Sequence, residues 1–296
     1  MKKISSIIGF ILVGFLLWYL IIKPYDYLVT FKVKTSAGTI NQSIKIWNTS
    51  LENSAPIQQE SLSNLTQQIN TADSTFIYQW SIRSENDSMS KVKVYVTDLD
   101  HSFANKISIP FGTTDFEKRT QNTVTDFIDK LKEHLKKIKV TVVGKDTTRS
   151  AYCAYISMKG LQIEKARGMM QNYSLLTGLL SAENIKMDGT PFIEITNWNT
   201  QNDSIYYNFC FPVIKSDSLP KDTRIQYKQY QGVKALKATY NGNYITSDRA
   251  WYRLLDYAEN NNISIEKKPV EVFYSNPNFG GDVLKWKAEI YMPIKE

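Results

Sequence analysis

The chain has 296 residues, of which 42% are hydrophobic and 22% charged, and its formal net charge is +7. This length suffices for one large domain or two ordinary ones, and the apolar content excludes an intrinsically disordered chain. Two histidines and two cysteines, widely separated along the chain, exclude a clustered zinc site. No segment has the glycine spacing of a dinucleotide-binding or phosphate-binding loop, so we expect neither a metal nor another cofactor.

The first predicted element is an N-terminal helix. Residues 4–22, ISSIIGFILVGFLLWYLII, carry no charge, and Lys2 and Lys3 precede them. Their length approaches that needed to cross a hydrocarbon core of roughly 30 Å. A cleaved signal peptide has similar features, but Pro24 and aromatic residues occupy the place of a small-residue cleavage site. The pattern predicts a single-pass anchor over residues 1–24 in the lipid bilayer, with the remaining chain on the extracytoplasmic side.

The next predicted unit, residues 25–145, is an antiparallel sheet followed by a long helix. A strand is predicted over residues 25–34, YDYLVTFKVK, and a short helix around INQSIKIWN. The alternating runs FIYQWSIRS and KVKVYVTDL predict a hairpin, and NKISIPF predicts a further short strand. Apolar residues three and four positions apart predict a helix over residues 115–138.

This order of elements resembles the START/polyketide-cyclase-like (SRPBCC) superfamily. The resemblance rests on TFKVKTSAGTINQSIKIWN as the opening strand and first helix, and on the hairpin that precedes the long helix. It implies a helix-grip fold, in which a curved sheet wraps the last helix around an apolar cavity. Such a cavity could hold lipid or another apolar molecule.

The C-terminal half contains an internal repeat. In each copy a helix ending at Leu-Leu leads to Ala-Glu-Asn, a polar turn, a proline and a strand with an acidic residue. The two copies are LLSAENIKMDGTPFIEITNW, which leads to IYYNFCFPVI, and LLDYAENNNISIEKKPVEVFYS, which leads to KWKAEIYMPI. With the opening strands AYCAYISMKG and GVKALKATYNG, the pattern predicts a strand-helix-strand-strand unit used twice. Extra residues around Leu161 to Gln171 are expected before the first helix.

The second copy resembles the GyrI-like or AraC effector-binding domain family. The matching stretches are GVKALKATYNGNY, DRAWYRLLDYAENNNI, KKPVEVFY and WKAEIYMPI. The resemblance covers residues 150–296 and implies two modules related by a pseudo-twofold axis, with a ligand cleft between them. The whole chain is therefore expected to be α+β: a transmembrane helix, a helix-grip-like antiparallel sheet and a duplicated β-α-β-β domain.

The resemblance implies a ligand-binding role for Glu289. In WKAEIYMPI, Glu289 and Tyr291 share one face of the strand. Trp286, Ala288 and Ile290 share the other, apolar face, which is expected to pack on the helices. A carboxylate in an apolar cleft needs a partner, so we expect a cationic or amphipathic small molecule held between aromatic walls. The predicted ligand-binding residues are Glu289, Tyr291, Tyr240, Tyr244, Trp251, Phe273 and Tyr155. The equivalent of Glu289 in the first copy is Asn208. The counterpart of Glu271 in the first copy is Glu194, and both acids are expected to be structural or solvent-facing.

Other functions stay open at this point. Some GyrI-like proteins are hydrolases, which would make Glu289 a general base and Tyr240 or Tyr291 a proton donor. A non-catalytic envelope scaffold or a lipid-binding protein is a further alternative. No helix-turn-helix segment is evident and the basic residues are dispersed, so no nucleic-acid partner is expected. Cys153 and Cys210 could be buried thiols or, in an oxidising compartment, a disulfide.

Overall fold

The computed structural model describes residues 2–86, 88–216, 219, 222–277 and 280–295. The chain divides into two compact units, Met1–Glu85 with Met89–Lys132 and Asn86–Ser88 with Glu133–Glu296. The first contains a five-stranded sheet and the second an eight-stranded sheet, and the strands pair antiparallel. The α+β class is therefore as predicted.

The predicted transmembrane helix is wrong. Helix α1 covers Lys2–Leu17, and a separate π-helical segment, Trp18–Ile22, follows it. Among the residues that the structure describes, no helix is long and apolar enough to cross a membrane. The 16 residues of α1 extend about 24 Å at 1.5 Å per residue, short of a hydrocarbon core of roughly 30 Å. The single-pass localisation and the bilayer as a partner depended on that helix and are wrong with it.

The first unit has the predicted order of a strand, a helix, a hairpin and a long helix. Its elements are β1 (Tyr27–Val33), α2 (Ala37–Asn48), β2 (Gln58–Ser61), β3 (Asn64–Asn70), β4 (Thr75–Asn86), β5 (Met89–Asp98), α3 (Ser102–Ser108) and α4 (Asp115–Lys136). The sheet order is β1-β5-β4-β3-β2. The predictions of β1, α2, the β4–β5 hairpin and α4 are confirmed, whereas β2 and β3 were not predicted.

Aromatic side chains fill the space between α4 and this sheet. The ring of Phe127 on α4 lies 5.0 Å from Trp80 on β4 and 5.4 Å from Trp47 on α2, between centroids. The indole of Trp47 donates a hydrogen bond of 2.7 Å to Asp126. The apolar face of α4 predicted from its spacing is the face that packs, because Val124, Phe127 and Leu131 are buried.

The short strand predicted at NKISIPF is wrong, because these residues form the end of α3 and a 3₁₀ turn, Ile109–Phe111. The alternation of Ile107, Ile109 and Phe111 does not mark a buried sheet face, since Phe111 is 88% exposed. The ammonium of Lys106 is instead buried and donates to the carbonyl of Lys23 at 2.6 Å. Lys106 reaches this carbonyl as part of helix α3.

The second unit contains the predicted repeat. Its elements are β6 (Lys139–Thr147), β7 (Ala151–Leu161), α5 (Lys165–Ala182), β8 (Phe192–Trp198), β9 (Ser204–Pro212), β10 (Gln226–Tyr230), β11 (Lys234–Asn241), α6 (Arg249–Asn260), β12 (Val270–Phe273) and β13 (Lys287–Pro293). The first copy is β7-α5-β8-β9 and the second is β11-α6-β12-β13. The sheet order is β10-β7-β9-β8-β12-β13-β11-β6, which places the copies symmetrically about the β8–β12 pair. Helix α5 begins at Lys165, so most of the predicted insertion before it is helical.

Two strands that were not predicted interlock the copies. Strand β6 precedes the first copy along the chain but pairs with β11, the opening strand of the second. Strand β10 precedes the second copy but pairs with β7, the opening strand of the first. The strand that precedes each copy along the chain therefore forms the sheet edge next to the other copy.

Helices α5 and α6 both pack on one face of the eight-stranded sheet, here called the helix face. Strand register places Ile193, Phe209, Glu271 and Ile290 on this face. The opposite face carries Phe192, Cys210, Val272 and Glu289 in the same pairings. Cys153 and Cys210 are buried free thiols in neighbouring strands on that opposite face.

Candidate functional site

An apolar cleft of about 570 Å³ lies on the helix face, between elements of the two copies. Helix α5 of the first copy forms one wall. A 3₁₀ turn of the second copy, Tyr244–Thr246, and the residues after β12 form the other. The side chains of the walls are Ala166, Met169, Met170, Tyr173, Pro191, Phe209, Tyr244, Phe273, Tyr274 and Trp286. We call this cavity the open cleft.

The aromatic wall of the open cleft is held by hydrogen bonds to the backbone. The Tyr244 ring lies 4.8 Å from Phe273 and 6.1 Å from Trp286, between centroids. The Tyr244 hydroxyl donates to the carbonyl of Lys287 at 2.8 Å and accepts from the amide of Ser275 at 3.1 Å. Because both its bonding groups are used by the protein, this ring is fixed before any ligand enters.

Among the described residues that line the open cleft, no side chain is charged. The polar lining consists of Thr190, Asn243, Ser275 and Asn276, together with the tyrosine hydroxyls. A cavity of a few hundred cubic ångströms with apolar walls and few polar groups is the usual form of a small-molecule site. The chemistry of the lining therefore suits an aromatic or amphipathic molecule.

A buried ion pair lies behind this lining. Lys165 and Glu271 are both fully buried, with 3.9 Å between the ammonium and the nearer carboxylate oxygen. Lys165 also lies 3.4 Å from the carbonyl oxygen of Tyr244, and Ser247 donates to Glu271 at 2.7 Å. Burial raises the pKa of Glu271, while the Lys165 charge and the Ser247 hydroxyl act in the opposite direction. Ala166, which follows Lys165 in sequence, and Phe273, two residues after Glu271, both line the cleft.

Glu289 lies on the opposite face of the sheet and has four side-chain donors. One oxygen accepts from Tyr274 at 2.8 Å and from Tyr291 at 2.9 Å, and lies 3.2 Å from the Lys237 ammonium. The other oxygen lies 2.8 Å from the Lys287 ammonium. Burial alone would raise the pKa of Glu289, but these donors lower it to about 2. The carboxylate is therefore ionised and compensated within the protein.

A smaller cavity of about 230 Å³ lies next to Glu289. Tyr274 and Tyr291 line it together with Phe192, Val270 and Val272 from the opposite face. Glu289 is behind the two tyrosines, whose hydroxyls point to its carboxylate. Tyr274 lines this cavity and the open cleft alike.

The predicted aromatic residues lie in three separate places. Tyr244 and Phe273 meet in the open cleft, whereas Tyr291 accompanies Glu289. Tyr155 is also on the opposite face, where its hydroxyl donates to Gln226 at 2.6 Å. Trp251 is a fully buried residue of α6, and Tyr240 is fully buried on the helix face, where its hydroxyl donates to the carbonyl of Asn243 at 2.8 Å. The structure thus joins Tyr244 with Phe273 and Glu289 with Tyr291, but not the predicted set as a whole.

Several cleft residues were not predicted, among them Met169, Met170, Tyr173 and Trp286, and the omission of these four has a cause in the sequence. Met169, Met170 and Tyr173 lie on a helix whose first turns were interpreted as an insertion. Trp286 was assigned to helix packing, but it precedes β13 and turns into the cleft. The hydrophobic spacing within residues 165–182 could have identified the helix.

The prediction that Glu271 and Glu194 are equivalent positions of the two copies is wrong. Glu194 is three residues after Pro191, whereas Glu271 is two residues after Pro269. Since strand side chains alternate, this difference of one residue puts the two acids on opposite faces, and Glu271 pairs with Ile193. The proline spacing was the available signal that Glu271 is buried under the helices.

The region related to the open cleft by exchange of the two copies is filled. Trp198, the last residue of β8, packs against Trp251 and Tyr252 of α6, with ring centroids 5.1 Å and 5.5 Å apart. Gln162 joins them, because its amide oxygen accepts from Trp198 at 2.6 Å and its amide nitrogen donates to Tyr252 at 2.9 Å. We call this group, Gln162, Trp198, Trp251 and Tyr252, the filled counterpart.

Comparison with known proteins agrees with the predicted family for the second unit. Residues 152–295 match the GyrI-like small molecule binding domain family. No curated protein is significantly similar in sequence. Similar solved structures include the EcmrR C-terminal domain, at 12% identity over 54% of this chain and 98% of that chain, with a TM-score of 0.44.

Two further structures are similar at the same low level of identity. The EcmrR–DNA complex is 12% identical over 66% of this chain and 72% of that chain, with a TM-score of 0.44. SAV2435 bound to tetraphenylphosphonium is 11% identical over 53% of this chain and 93% of that chain, with a TM-score of 0.34. The expectation of no nucleic-acid partner does not hold for these similar proteins, since EcmrR was solved with DNA. That contact is a property of EcmrR.

Proposed function

We propose that the second unit is a binding module that holds one amphipathic, largely aromatic small molecule in the open cleft. The observation that carries the proposal is a preformed cavity of about 570 Å³ whose walls are methionine and aromatic side chains. The family match over residues 152–295 supports a small-molecule ligand. The sequence analysis left the ligand as amphipathic or cationic, and the cleft supplies the aromatic walls for either.

The walls can provide affinity without a charged group. Burial of apolar ligand surface contributes roughly 25 cal/mol per Å², and aromatic contacts add about 0.5–1.5 kcal/mol each. Met169 and Met170 present flexible thioethers that can adjust to a ring. Because Tyr244 is already fixed by its two hydrogen bonds, ordering this wall requires little further loss of entropy.

The ligand-binding role assigned to Glu289 stays a prediction, and the contacts of this residue favour a structural role. Two lysines and two tyrosines already compensate its charge. A cationic ligand at Glu289 would have to compete with Lys237 and Lys287. The open cleft has no such competitor among its described lining residues.

The hydrolase alternative receives less support. A general base works best with a pKa near the working pH, whereas that of Glu289 is about 2. One proposed donor, Tyr240, is fully buried on the helix face, and its hydroxyl bonds to Asn243 and Thr246. Tyr240 and Glu289 therefore face opposite sides of the sheet. The other proposed donor, Tyr291, already donates its hydroxyl to Glu289 at 2.9 Å. The helix-grip resemblance of the first unit also stays a prediction.

Binding of N-phenyl-1-naphthylamine, an uncharged dye that fluoresces in apolar sites, tests the proposal. Met170 lines the cleft and is 60% exposed, so Met170→Glu places a charge at the ligand without disturbing the core. We expect this variant to weaken dye binding about tenfold or more, because the new carboxylate must lose water when the dye enters. The measurement is a fluorescence titration of the whole chain.

Met187→Glu is the matched control, because Met187 is 44% exposed and lies outside the cleft lining. It should bind the dye like the wild type, and dye bound elsewhere on the chain should respond to neither change. Equal titrations for the wild type and Met170→Glu would show that the dye does not occupy the open cleft. Absence of saturable binding would also contradict the proposal.

A further inference from the structure

We infer that the smaller cavity next to Glu289 is a second compartment of the binding site, and that Tyr274 is the partition between it and the open cleft. The ligand class that suits both compartments is an aromatic head that carries an uncharged alkyl arm. The head occupies the open cleft, and the arm enters the smaller cavity. This assignment rests on the proposed function, because the head must bind in the open cleft.

The two cavities adjoin one another at the end of the β8–β12 strand pair. Gly189, Thr190 and Tyr274 line both of them. Gly189 and Thr190 precede β8, and Tyr274 directly follows β12. The ends of these two strands lie side by side, since Phe192 pairs with Val272. The open cleft on the helix face therefore meets the smaller cavity on the opposite face where these strands end.

The lining of the smaller cavity favours an uncharged arm. Phe192, Val270 and Val272 contribute apolar side chains to it. Among its described lining residues, the charged ones are Arg149 and Asp188, whose side chains lie 3.1 Å apart and compensate each other. A charged arm would lose its hydration and gain no unpaired ionic partner from this lining. An alkyl arm would instead gain from the burial of apolar surface.

The hydroxyl groups around the smaller cavity are also engaged within the protein. The hydroxyls of Tyr230 and Thr148 lie 3.0 Å apart in a hydrogen bond, and Tyr291 donates to Glu289 at 2.9 Å. A polar arm would have to displace one of these internal partners. At ~30 Å³ for each water-sized group, the cavity of about 230 Å³ accommodates roughly seven such groups. An arm of about six carbons therefore matches it.

Tyr274 is held at the junction of the two cavities by contacts on the opposite face. Its hydroxyl donates to Glu289 at 2.8 Å, and the Lys287 ammonium lies 4.7 Å from the centre of its ring. Tyr274 is 50% exposed, so its ring has room to turn into solvent. Glu289 would still have Tyr291, Lys237 and Lys287 as partners after that movement. Admission of the arm therefore costs one hydrogen bond of the carboxylate and leaves its charge compensated.

N-ethyl-1-naphthylamine and N-hexyl-1-naphthylamine provide the test, because they share an uncharged aromatic head and differ in the length of the arm. Fluorescence titrations of the whole chain give the two dissociation constants, and their ratio cancels changes in the contacts of the head. Each methylene that is buried strengthens binding about threefold to fourfold. We expect the wild type to bind the hexyl compound about tenfold or more tighter than the ethyl compound.

Three variants locate the arm. Val272 belongs to the described lining of the smaller cavity and not to that of the open cleft, so Val272→Phe fills the second compartment and should reduce the ratio to about threefold or less. Tyr274→Ala removes the partition and should raise the ratio about threefold or more above that of the wild type. Val143→Phe is the matched control, because Val143 is 59% exposed outside both linings, and it should keep the wild-type ratio.

NMR of the wild-type chain locates the arm without a variant in the cavity. In a chain labelled with ¹³C-methyl valine, the hexyl compound should shift the signals of Val270 and Val272 in a saturable manner, and the ethyl compound should not. The signal of Val143 should respond to neither compound. Saturable binding of the hexyl compound that leaves Val270 and Val272 unshifted overturns the second compartment, and this result does not depend on the folding of Val272→Phe.

The titrations separate the second compartment from the proposed function. Equal affinity of the wild type for the two compounds, or an unchanged ratio in folded Val272→Phe, overturns the second compartment and leaves the proposed function intact. A ratio in Tyr274→Ala that does not exceed that of the wild type overturns the role of Tyr274 as the partition. Failure of the wild type to bind either compound contradicts the proposed function itself.

Discussion

The open cleft and its filled counterpart are built from the same elements, taken from opposite copies of one repeat. The open cleft uses α5 with the 3₁₀ turn and the end of β12 from the second copy. The filled counterpart uses α6 with Gln162 and Trp198 from the first copy. One arrangement of backbone thus produces a cavity in one place and a packed cluster in the other.

Side-chain volume near the start of each helix accounts for part of the difference. The third and fourth residues of α6 are Trp251 and Tyr252, both buried against Trp198. The fourth residue of α5 is Gly168, whose absent side chain lets the helix approach the Tyr207 hydroxyl. A Cβ atom at Gly168 would lie 2.2 Å from that hydroxyl oxygen. The two regions thus share one arrangement of backbone and differ in the side chains that occupy it.

The largest expected effect comes from emptying the filled counterpart. Trp198→Ala should lower the free energy of unfolding by about 3–5 kcal/mol, because the buried indole contacts two rings and donates to Gln162. Trp286→Ala in the open cleft should cost about 1 kcal/mol, since that indole is only half-buried and faces a cavity. Urea denaturation followed by circular dichroism measures both. Equal losses would contradict the distinction between the two regions.

A smaller effect is expected at Glu289, which belongs to neither region. The pKa of Glu289 is about 2 in the folded chain and near 4.5 without its partners. Its contribution to stability is therefore complete above pH 4.5 and is lost as the pH falls from 4.5 to 2. We expect the wild type to lose on the order of 2–3 kcal/mol more than Glu289→Gln across that range.

Denaturant titrations at several pH values between 6 and 2 measure this difference. Glu183→Gln, which removes an exposed carboxylate of the same unit, serves as a control for general effects of net charge. Parallel stability curves for the wild type and Glu289→Gln would show that the four donors do not stabilise the ionised carboxylate. The Glu289 carboxylate would then be available to bind a ligand.

Much of the second unit could be predicted because its signals are local. Alternation in WKAEIYMPI, helical spacing in DRAWYRLLDYAENNNI and the recurrence of Ala-Glu-Asn all report on neighbouring residues. Strands β6 and β10 escaped prediction because KVTVVGKDT follows a lysine-rich helix without a clear break and QYKQY is short and polar. Both become strands only through pairing with the opening strand of the other copy.

The site was harder to predict because its contacts join distant segments. Lys237 lies on β11, Tyr274 follows β12 and Lys287 lies on β13. No residue close to Glu289 in sequence indicates that Lys237 and Tyr274 compensate its charge. Likewise Lys165 meets Glu271 across more than a hundred residues. The sequence could indicate which face an acid occupies, but the identity of its partner depends on tertiary structure.

The most direct test of the proposed site follows the methionine methyl groups by NMR. In a chain labelled with ¹³C-methyl methionine, Met169 and Met170 lie in the open cleft, while Met89, Met187 and Met292 lie outside its lining. Addition of triphenylphosphine oxide should shift the Met169 and Met170 signals in a saturable manner and leave the other three unchanged. Saturable shifts confined to Met89, Met187 or Met292 would contradict the assignment of the ligand to the open cleft.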